Sequence, residues 1–561
     1  MGLTFDEAVA AVTAPGQTFS IVEADVRGQR LKVFEHTPPS MRVLFDSMRA
    51  RGDQTFLVYE DERLSFAEVM AQADAIGAVL VERYGVAKGD RVAIGMRNYP
   101  EWITSYVAAI SVGAIAVSLN AWWTADELLY GLEDSGTKVL IADQERAERA
   151  EGAFDLLGIR TMVVRATGPL PPGAERIEDV VVPGRPMPLV DIGPDDDATI
   201  LYTSGTTGHP KGAVSTHRAV LSAIMAFGCR AAANALLTPP TEPATHPTSF
   251  ILVVPLFHVT GCVAVMLNAV AAGCKLVLMY KWDPERALEL IEREHITQFV
   301  GVPTMSWDLL ESSDFARRDT SSLVAVGGGG APAPPELVRR VEQGFTQGRP
   351  QIGYGMTETN AYGPGNTGDD YLRKPTSSGR FVPVMDVKIA GEDLCALPVG
   401  EVGEICFRGP MLIRGYWNRP EATAEAIVDG WLRSGDLGRL DDEGFIYVED
   451  RAKDMVIRAG ENIYCAEVEA AIYDHPAVYE AAVFGIPHER LGEELVAAVY
   501  LKPGASLDAD TLQAHVRERL AAFKVPSQVR FVDKQLPRGA TGKILKRELR
   551  DALVAEETAS G

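Results

Sequence analysis

Tyr202-Thr203-Ser204-Gly205-Thr206-Thr207-Gly208-His209-Pro210-Lys211-Gly212-Ala213 crowds hydroxyls, glycines and one lysine into a single short window. Glycines let backbone N–H groups approach anionic oxygens closely, the Ser and Thr hydroxyls add donors, and Lys211 supplies a mobile positive charge. The pattern is that of a phosphate-binding loop and predicts a nucleoside triphosphate as ligand. It is not the Walker A loop, in which Lys directly follows the second glycine; here His209 and Pro210 stand between Gly208 and Lys211. A flexible surface turn is also rich in Gly and Ser, but the clustering of phosphate-binding chemistry in one window argues against it.

The surroundings of the loop point to the architecture. From about residue 40 to 270, apolar runs such as 92–96, 139–142 and 251–254 alternate with amphipathic segments such as 66–84, which implies parallel sheets covered by helices. The alternation continues with a strand over 275–279, a helix over 284–295 and a strand over 298–302. From Val384 short β-rich pieces with turns suggest a smaller barrel-like unit, and the four prolines within 231–249 read as an exposed loop. A final strand over 444–448 leads into the charged connector Asp450-Arg451-Ala452-Lys453-Asp454. Beyond it, helices over 467–473 and 511–520 and a strand over 496–501 make a compact α+β unit. The expected fold class is α/β: a large N-terminal domain, 1–450, of two parallel-sheet/helix subdomains plus a small β-barrel-like subdomain. A small mobile α+β C-terminal domain, 451–561, would follow, with a hinge near Lys453.

A chain of 561 residues has room for several cores, and its formal net charge of −23 argues against nonspecific nucleic-acid binding or docking on anionic membranes. Cys229, Cys262, Cys274, Cys395, Cys406 and Cys465 form no Cys-x-x-Cys pair and have no His at zinc spacing, so they read as reduced core residues of a cytoplasmic protein. The first residues lack a basic region and an apolar run, so no secretory signal is expected. The longest uncharged run, 103–121, is interrupted by Ser105, Ser111, Gly113, Ser118 and Asn120 and reads as a buried helix, a turn and a strand, not a membrane span.

Four further segments share the chemistry of the loop. Gly353-Tyr354-Gly355-Met356-Thr357-Glu358 joins an aromatic ring, a hydroxyl and a carboxylate, and Gly430-Trp431-Leu432-Arg433-Ser434-Gly435-Asp436-Leu437-Gly438 presents Asp436 between glycine turns. Arg451, and Lys543 in Pro537-Arg538-Gly539-Ala540-Thr541-Gly542-Lys543, add cations. Read bare, these are a ring that can stack on a base, acids for Mg²⁺ or ribose hydroxyls, and cations for phosphates. In this order and spacing they resemble the adenylate-forming superfamily of acyl-CoA synthetases, nonribosomal adenylation domains and firefly-type luciferases. The resemblance covers nearly the whole chain, from Arg97-Asn98-Tyr99-Pro100-Glu101-Trp102 to Lys546-Arg547-Glu548-Leu549.

The resemblance implies an ATP-dependent carboxylic acid:CoA ligase working through an acyl-adenylate. By it, Thr203, Ser204, Gly205, Thr206, Thr207, Gly208 and Lys211 would wrap the β- and γ-phosphates, with Thr203 and Glu358 near Mg²⁺. Gly330, Ala331, Pro332 and Tyr354, with Gly355, Met356 and Thr357 alongside, would hold adenine; Asp436 and Arg451 would hold the ribose. Lys543 would sit against the α-phosphate and the carboxylate when the small domain closes, so that Lys543, Lys211 and Glu358 carry the chemistry. CoA would enter along Ala459, Gly460 and Glu461. Ala459 stands where glycine is commoner, at a cost of about 1 kcal/mol if that position needs positive φ.

The same resemblance puts the acyl pocket beside 255–261, 301–305 and 327–331, with His258, Gly301, Val302, Gly328, Gly329 and Gly330 next to the acid. Glycines 327–330 are expected to leave volume there. No Asp or Lys stands ready to pair an amino-acid substrate, so the acid is expected to be hydrophobic: medium- or long-chain, aryl or polycyclic. His258 reads equally as a gate and as a core histidine satisfied by backbone. No Gly-x-Ser carrier unit follows Lys543, which favours free CoA as acceptor; an acyl-AMP ligase loading a separate carrier protein is the alternative. From another class, a noncatalytic nucleotide-binding protein should have lost Lys543 or Glu358, and both are present. Neither nucleic acid nor an integral membrane segment is expected, and a homodimer is left open.

Overall fold

The computed structural model describes residues 3–203, 209–239, 244–458, 461–488 and 490–560. Ser204, Gly205, Thr206, Thr207 and Gly208 of the phosphate loop, and Ala459 and Gly460 of the expected CoA path, lie outside the described residues.

The apolar runs become strands. Arg91–Gly95, Ile115–Ser118, Val139–Asp143, Arg160–Val164 and Asp197–Thr203 run parallel in one eight-stranded sheet, to which Lys211–Thr216 and Gly415–Tyr416 add an antiparallel edge. Thr55–Tyr59, Lys275–Leu278, Ser249–Leu252, Gln298–Gly301, Ala325–Gly329 and Arg349–Gly353 run parallel in the second, again closed by antiparallel edges. Strands buried on both faces carry no polar alternation, which is why continuous apolar runs marked them. The two sheets share one core: Val92 and Ile94 belong to the same cluster as Leu252 and Val277. The helix Pro100–Ser111 runs through that cluster and is buried on almost every side, Trp102 stacking on Tyr106 at 5.0 Å. Gly113, at φ 75°, turns the chain from this helix into the strand Ile115–Ser118, as the 103–121 run predicts.

The β-rich stretch from Val384 forms an antiparallel sheet of Asp386–Ala390, Gly403–Arg408, Ile427–Val428, Trp431–Leu440 and Ile446–Arg451. The last sheet begins after it, with Val456–Arg458, Glu461–Ile463, Val478–His488 and Gly492–Leu501 antiparallel and Gln528–Val532 added in parallel. Helices Cys465–Tyr473 and Ala509–Arg517 cover one face of it and Lys546–Ser560 the other.

The chain over 231–237 differs from expectation, as does Cys395, which is exposed and not a core residue. Residues 231–237 are not loop but the end of the long helix His217–Leu237. The alanine-rich run Ala231-Ala232-Ala233-Asn234-Ala235 favours helix strongly, and the prolines begin only at Pro239. This helix has the length and composition to cross a membrane, yet Ala223, Ala226, Cys229 and Ala233 pack against Phe5, Ala8 and Val9 of the helix Phe5–Thr13. His217, at its buried start, accepts from the Met41 N–H at 3.1 Å.

Candidate functional site

The phosphate loop leaves and returns on neighbouring strands. Thr203 lies opposite Lys211 in register, and its hydroxyl donates to the Lys211 carbonyl at 3.4 Å. Tyr130 holds the returning limb: its ring stacks on His209 at 4.4 Å and its hydroxyl donates to the Pro210 carbonyl at 3.0 Å. The His-Pro pair that separates this loop from a Walker A loop is thus its anchorage.

Lys211 Nζ lies 5.1 Å from the centre of the Tyr416 ring, and the Tyr416 hydroxyl donates to Glu358 Oε1 at 2.7 Å. Strand pairing brings them together: Tyr416 sits opposite Ala213, and the Trp417 N–H donates to the Gly212 carbonyl at 2.7 Å. Glu358 stands on the single 3₁₀ turn Thr357–Thr359, reached from the strand Arg349–Gly353 through Tyr354, Gly355 and Met356, and its carbonyl accepts from the Ile413 N–H at 2.9 Å. Burial pushes the Glu358 carboxyl above its ordinary range, against the Tyr416 hydrogen bond. Tyr416 is a site residue that sequence reasoning missed. The aromatic doublet in Gly415-Tyr416-Trp417-Asn418 is visible in the sequence, but its pairing with Glu358 is not.

A second group converges on Asp436. Asp436 and Arg451 face each other in register, with Arg451 Nε 3.5 Å from Asp436 Oδ1; the acid is buried while the arginine side chain is 58% exposed. The Tyr354 hydroxyl donates to Asp436 Oδ2, and the ring tilts over Phe407 at 5.9 Å. Burial raises the Asp436 carboxyl, opposed by the Tyr354 hydrogen bond and by the charges of Arg451 and Lys543. Lys543 arrives from the small C-terminal sheet unit and crosses Gly330, where φ is +85° and an added Cβ would stand 3.3 Å from Lys543 Cε. Ala331 and Pro332 follow directly after it. Burial, then the Arg451 charge, pulls the Lys543 ammonium down to about 8, with Asp436 resisting. His258 feels the same lysine: burial and the Lys543 charge lower its imidazole to about 3, so it is neutral, and its Nδ1 accepts from the Thr260 N–H at 3.3 Å.

The glycine run has a different purpose from the one expected. A Cβ on Gly327, Gly328 or Gly329 would lie 1.9, 1.7 or 2.2 Å from the carbonyl oxygens of Gln351, Gly301 and Gly353. These glycines are required by close approach of strand to strand rather than by volume for a ligand, and Gly301 and Gly328 are register partners. Val302 packs on the turn carrying the lysine, its Cγ2 3.0 Å from where a Gly542 Cβ would be. On the expected CoA side, Glu461 is exposed opposite Arg458 at the start of its strand. Lys453 lies in the turn where the Asp454 and Met455 N–H groups donate to the Arg451 carbonyl, each at 3.0 Å.

Residues 44–417 match the family model of the AMP-binding enzyme, and residues 467–543 that of the AMP-binding enzyme C-terminal domain. The chain belongs to the AMP-binding enzymes. This AMP-binding enzyme is 35% identical over 503 residues to the long-chain-fatty-acid–CoA ligase FadD13 of Mycobacterium tuberculosis, covering 88% of this chain and 93% of the relative. It is 38% identical over 475 residues to a feruloyl-CoA synthase of an Amycolatopsis species, covering 83% and 89%. The structure of o-succinylbenzoate CoA synthetase (MenE) from Bacillus subtilis with its acyl-adenylate intermediate superposes with a TM-score of 0.76 at 31% identity, over 92% of this chain and 98% of that one. The AMP-binding enzyme described here is an adenylate-forming ligase, ATP-dependent and AMP-forming, that joins carboxylic acids to CoA with Mg²⁺.

Proposed function

We propose that this ligase activates a hydrophobic carboxylic acid, medium- or long-chain, aryl or polycyclic, and that Lys543 serves the first half-reaction and leaves before the second. The observation that carries the reading is the position of Lys543: a lysine from the C-terminal unit, half-buried over Gly330 and within electrostatic reach of Asp436, Arg451 and His258. In the first step a carboxylate oxygen attacks the α-phosphorus of ATP, the bond to the β-phosphate breaks, and pyrophosphate leaves. Two anions must meet, so cations dominate: Lys543 at the reacting centre and Lys211 on the departing phosphates. No general base is needed, because the acid is already ionised. In the second step the CoA sulfur attacks the acyl carbon and AMP departs.

The residues present fit Mg²⁺. Glu358 is a buried acid with a raised pKa, the state a cation would relieve, and Thr203 offers a hydroxyl at the mouth of the phosphate loop. Among the described residues no three His, Cys, Asp or Glu side chains gather as a metal cluster, so the ion would take its other oxygens from phosphates and water. Bound there, Mg²⁺ would neutralise charge on the leaving phosphates. Tyr354, Asp436 and Arg451 would hold the nucleoside. Ala459, Gly460 and Glu461 would border the CoA path, and the turn at Lys453 would be the hinge between domains 1–450 and 451–561. Segments 255–261, 301–305 and 327–331 contain no charged side chain, which supports an apolar acid. The acids named for the relatives, long-chain fatty acid, ferulate and succinylbenzoate, range over that class. Six free cysteines, five of them buried, suit a cytoplasmic enzyme.

The test is acid-dependent ATP–pyrophosphate exchange in Lys543→Ala. Exchange is expected to fall by about a hundred- to a thousandfold, the loss typical of one preorganised electrostatic donor. Exchange at the unsubstituted rate would sink the assignment.

A further inference from the structure

The helix Pro303–Glu311 touches the C-terminal unit at two points. At its start, Val302 and Met305 meet the Gly542 turn, their Cγ2 and Cε lying 3.0 and 3.5 Å from where a Gly542 Cβ would stand. Farther along, Asp308 Oδ1 accepts from the Tyr479 hydroxyl at 2.9 Å, while Oδ2 accepts from Trp282 Nε1 at 2.8 Å. Trp282 therefore fixes the carboxylate on the large-domain side and Tyr479 reads it from the other. Both of these partners of Asp308 are neutral donors.

What happens at Tyr479 is tied to Lys543 through the next residue. Glu480 is 1% exposed, accepts from the Leu536 N–H at 2.7 Å and pairs with Arg538. Arg538 Nη1 donates to the Gly542 carbonyl at 3.1 Å, and the turn is closed by Gly539 N–H to the Lys543 carbonyl at 2.9 Å. Tyr479 and Glu480 are consecutive in the strand Val478–His488, so the docking contact and the brace under the lysine share one rigid element. An ion pair at this boundary, Arg339 to Asp474 at 3.8 Å, joins side chains 60% and 36% exposed and contributes little.

We propose that Asp308 and Tyr479 are positioning residues for adenylate formation alone: their hydrogen bond seats the C-terminal unit, and Glu480 with Arg538 carries that seating to Lys543. Because both contacts lie on one helix, any rotation that withdraws Lys543 from Gly330 also parts Tyr479 from Asp308. The contact therefore favours the first half-reaction and has no part in the second. This rests on the reading of Lys543 given above.

The experiment separates the half-reactions in Tyr479→Phe, Asp308→Ala and, as control, Lys543→Ala. Tyr479→Phe deletes one half-buried hydroxyl and preserves the ring, so folding is expected to survive. In both docking variants acid-dependent pyrophosphate exchange should fall about ten- to a hundredfold, the range for a hydrogen bond to a charged group. Thioester formation from supplied acyl-adenylate and CoA should stay within about twofold of the unsubstituted enzyme, since no bond to Asp308 is needed there. Equal loss in both half-reactions, or unchanged exchange, would overturn the proposal. If Lys543→Ala retained normal exchange, the reading beneath it would fail instead; loss in Lys543→Ala with normal exchange in Tyr479→Phe would refute the docking role alone.

Discussion

Lys543 and Tyr416 show what one side chain contributes and how visible it is beforehand. With its ammonium at about 8, Lys543 is charged below that pH and neutral above it. The kcat/KM of adenylate formation, which reports the free enzyme, should therefore decline on the alkaline side with an inflection near 8. His258, held near 3, should add no inflection around neutrality. A profile flat through pH 9 would mean that Lys543 is not required as a cation. Tyr416→Phe removes the hydroxyl that donates to buried Glu358. Pyrophosphate exchange is expected to drop about tenfold or more, with a higher Mg²⁺ requirement in a metal titration. Asp436, Arg451, Tyr354 and Lys543, which the structure brings together, can be singled out in the sequence as candidates because each sits in a motif whose chemistry is local. Tyr416 and Asp308 cannot: Tyr416 matters only because its short strand lies beside Ala213, and Asp308 only because Tyr479 comes to it.

Among elements, the turn that presents Lys543 is tightly constrained. Gly542 has φ +82° and no room toward Val302, so Gly542→Ala should incur both backbone strain and a clash, moving the lysine. Pyrophosphate exchange at least tenfold lower, with thioester formation from supplied acyl-adenylate retained, is the expected outcome; equal rates would show that the turn tolerates a side chain. Strands such as Arg91–Gly95, Val139–Asp143 and Lys275–Leu278 could be read from their apolar runs, since burial on both faces erases polar alternation; Arg349–Gly353, buried only at Pro350, could not. The end of the helix His217–Leu237 is obscured in the sequence by the prolines that follow it, although the alanines before them favour helix. The glycines of Ala325–Gly329 were recognised as important for the wrong reason, because only the register of neighbouring strands reveals that their Cα hydrogens face carbonyl oxygens.

For the molecule as a whole, the proposed withdrawal of Lys543 would make the two half-reactions place opposite demands on one boundary. A connector that fixes the C-terminal unit in the pose described here should allow adenylate formation and block thioester formation. Lys453→Pro, which restricts backbone rotation in the turn after Arg451, is expected to do this, leaving pyrophosphate exchange within severalfold while CoA-dependent release of AMP is lost. Normal thioester synthesis in that variant would move the hinge elsewhere. The two large parallel sheets and the change of texture beyond Arg451 could be anticipated from sequence, whereas the two-stranded sheet of Ile21–Val26 and Gln29–Phe34 could not. Which faces meet across the boundary could not, because those contacts join residues far apart in the chain with no shared pattern.

The crowded strand Ala325–Gly329 also bears on how such an enzyme could acquire new substrates. Its last three residues, Gly327, Gly328 and Gly329, are held by main-chain neighbours that no rotamer change can move aside. That wall is closed to mutation, and natural or laboratory selection for another acid would have to act on the segments around His258 and on 301–305, leaving the strand as an invariant template.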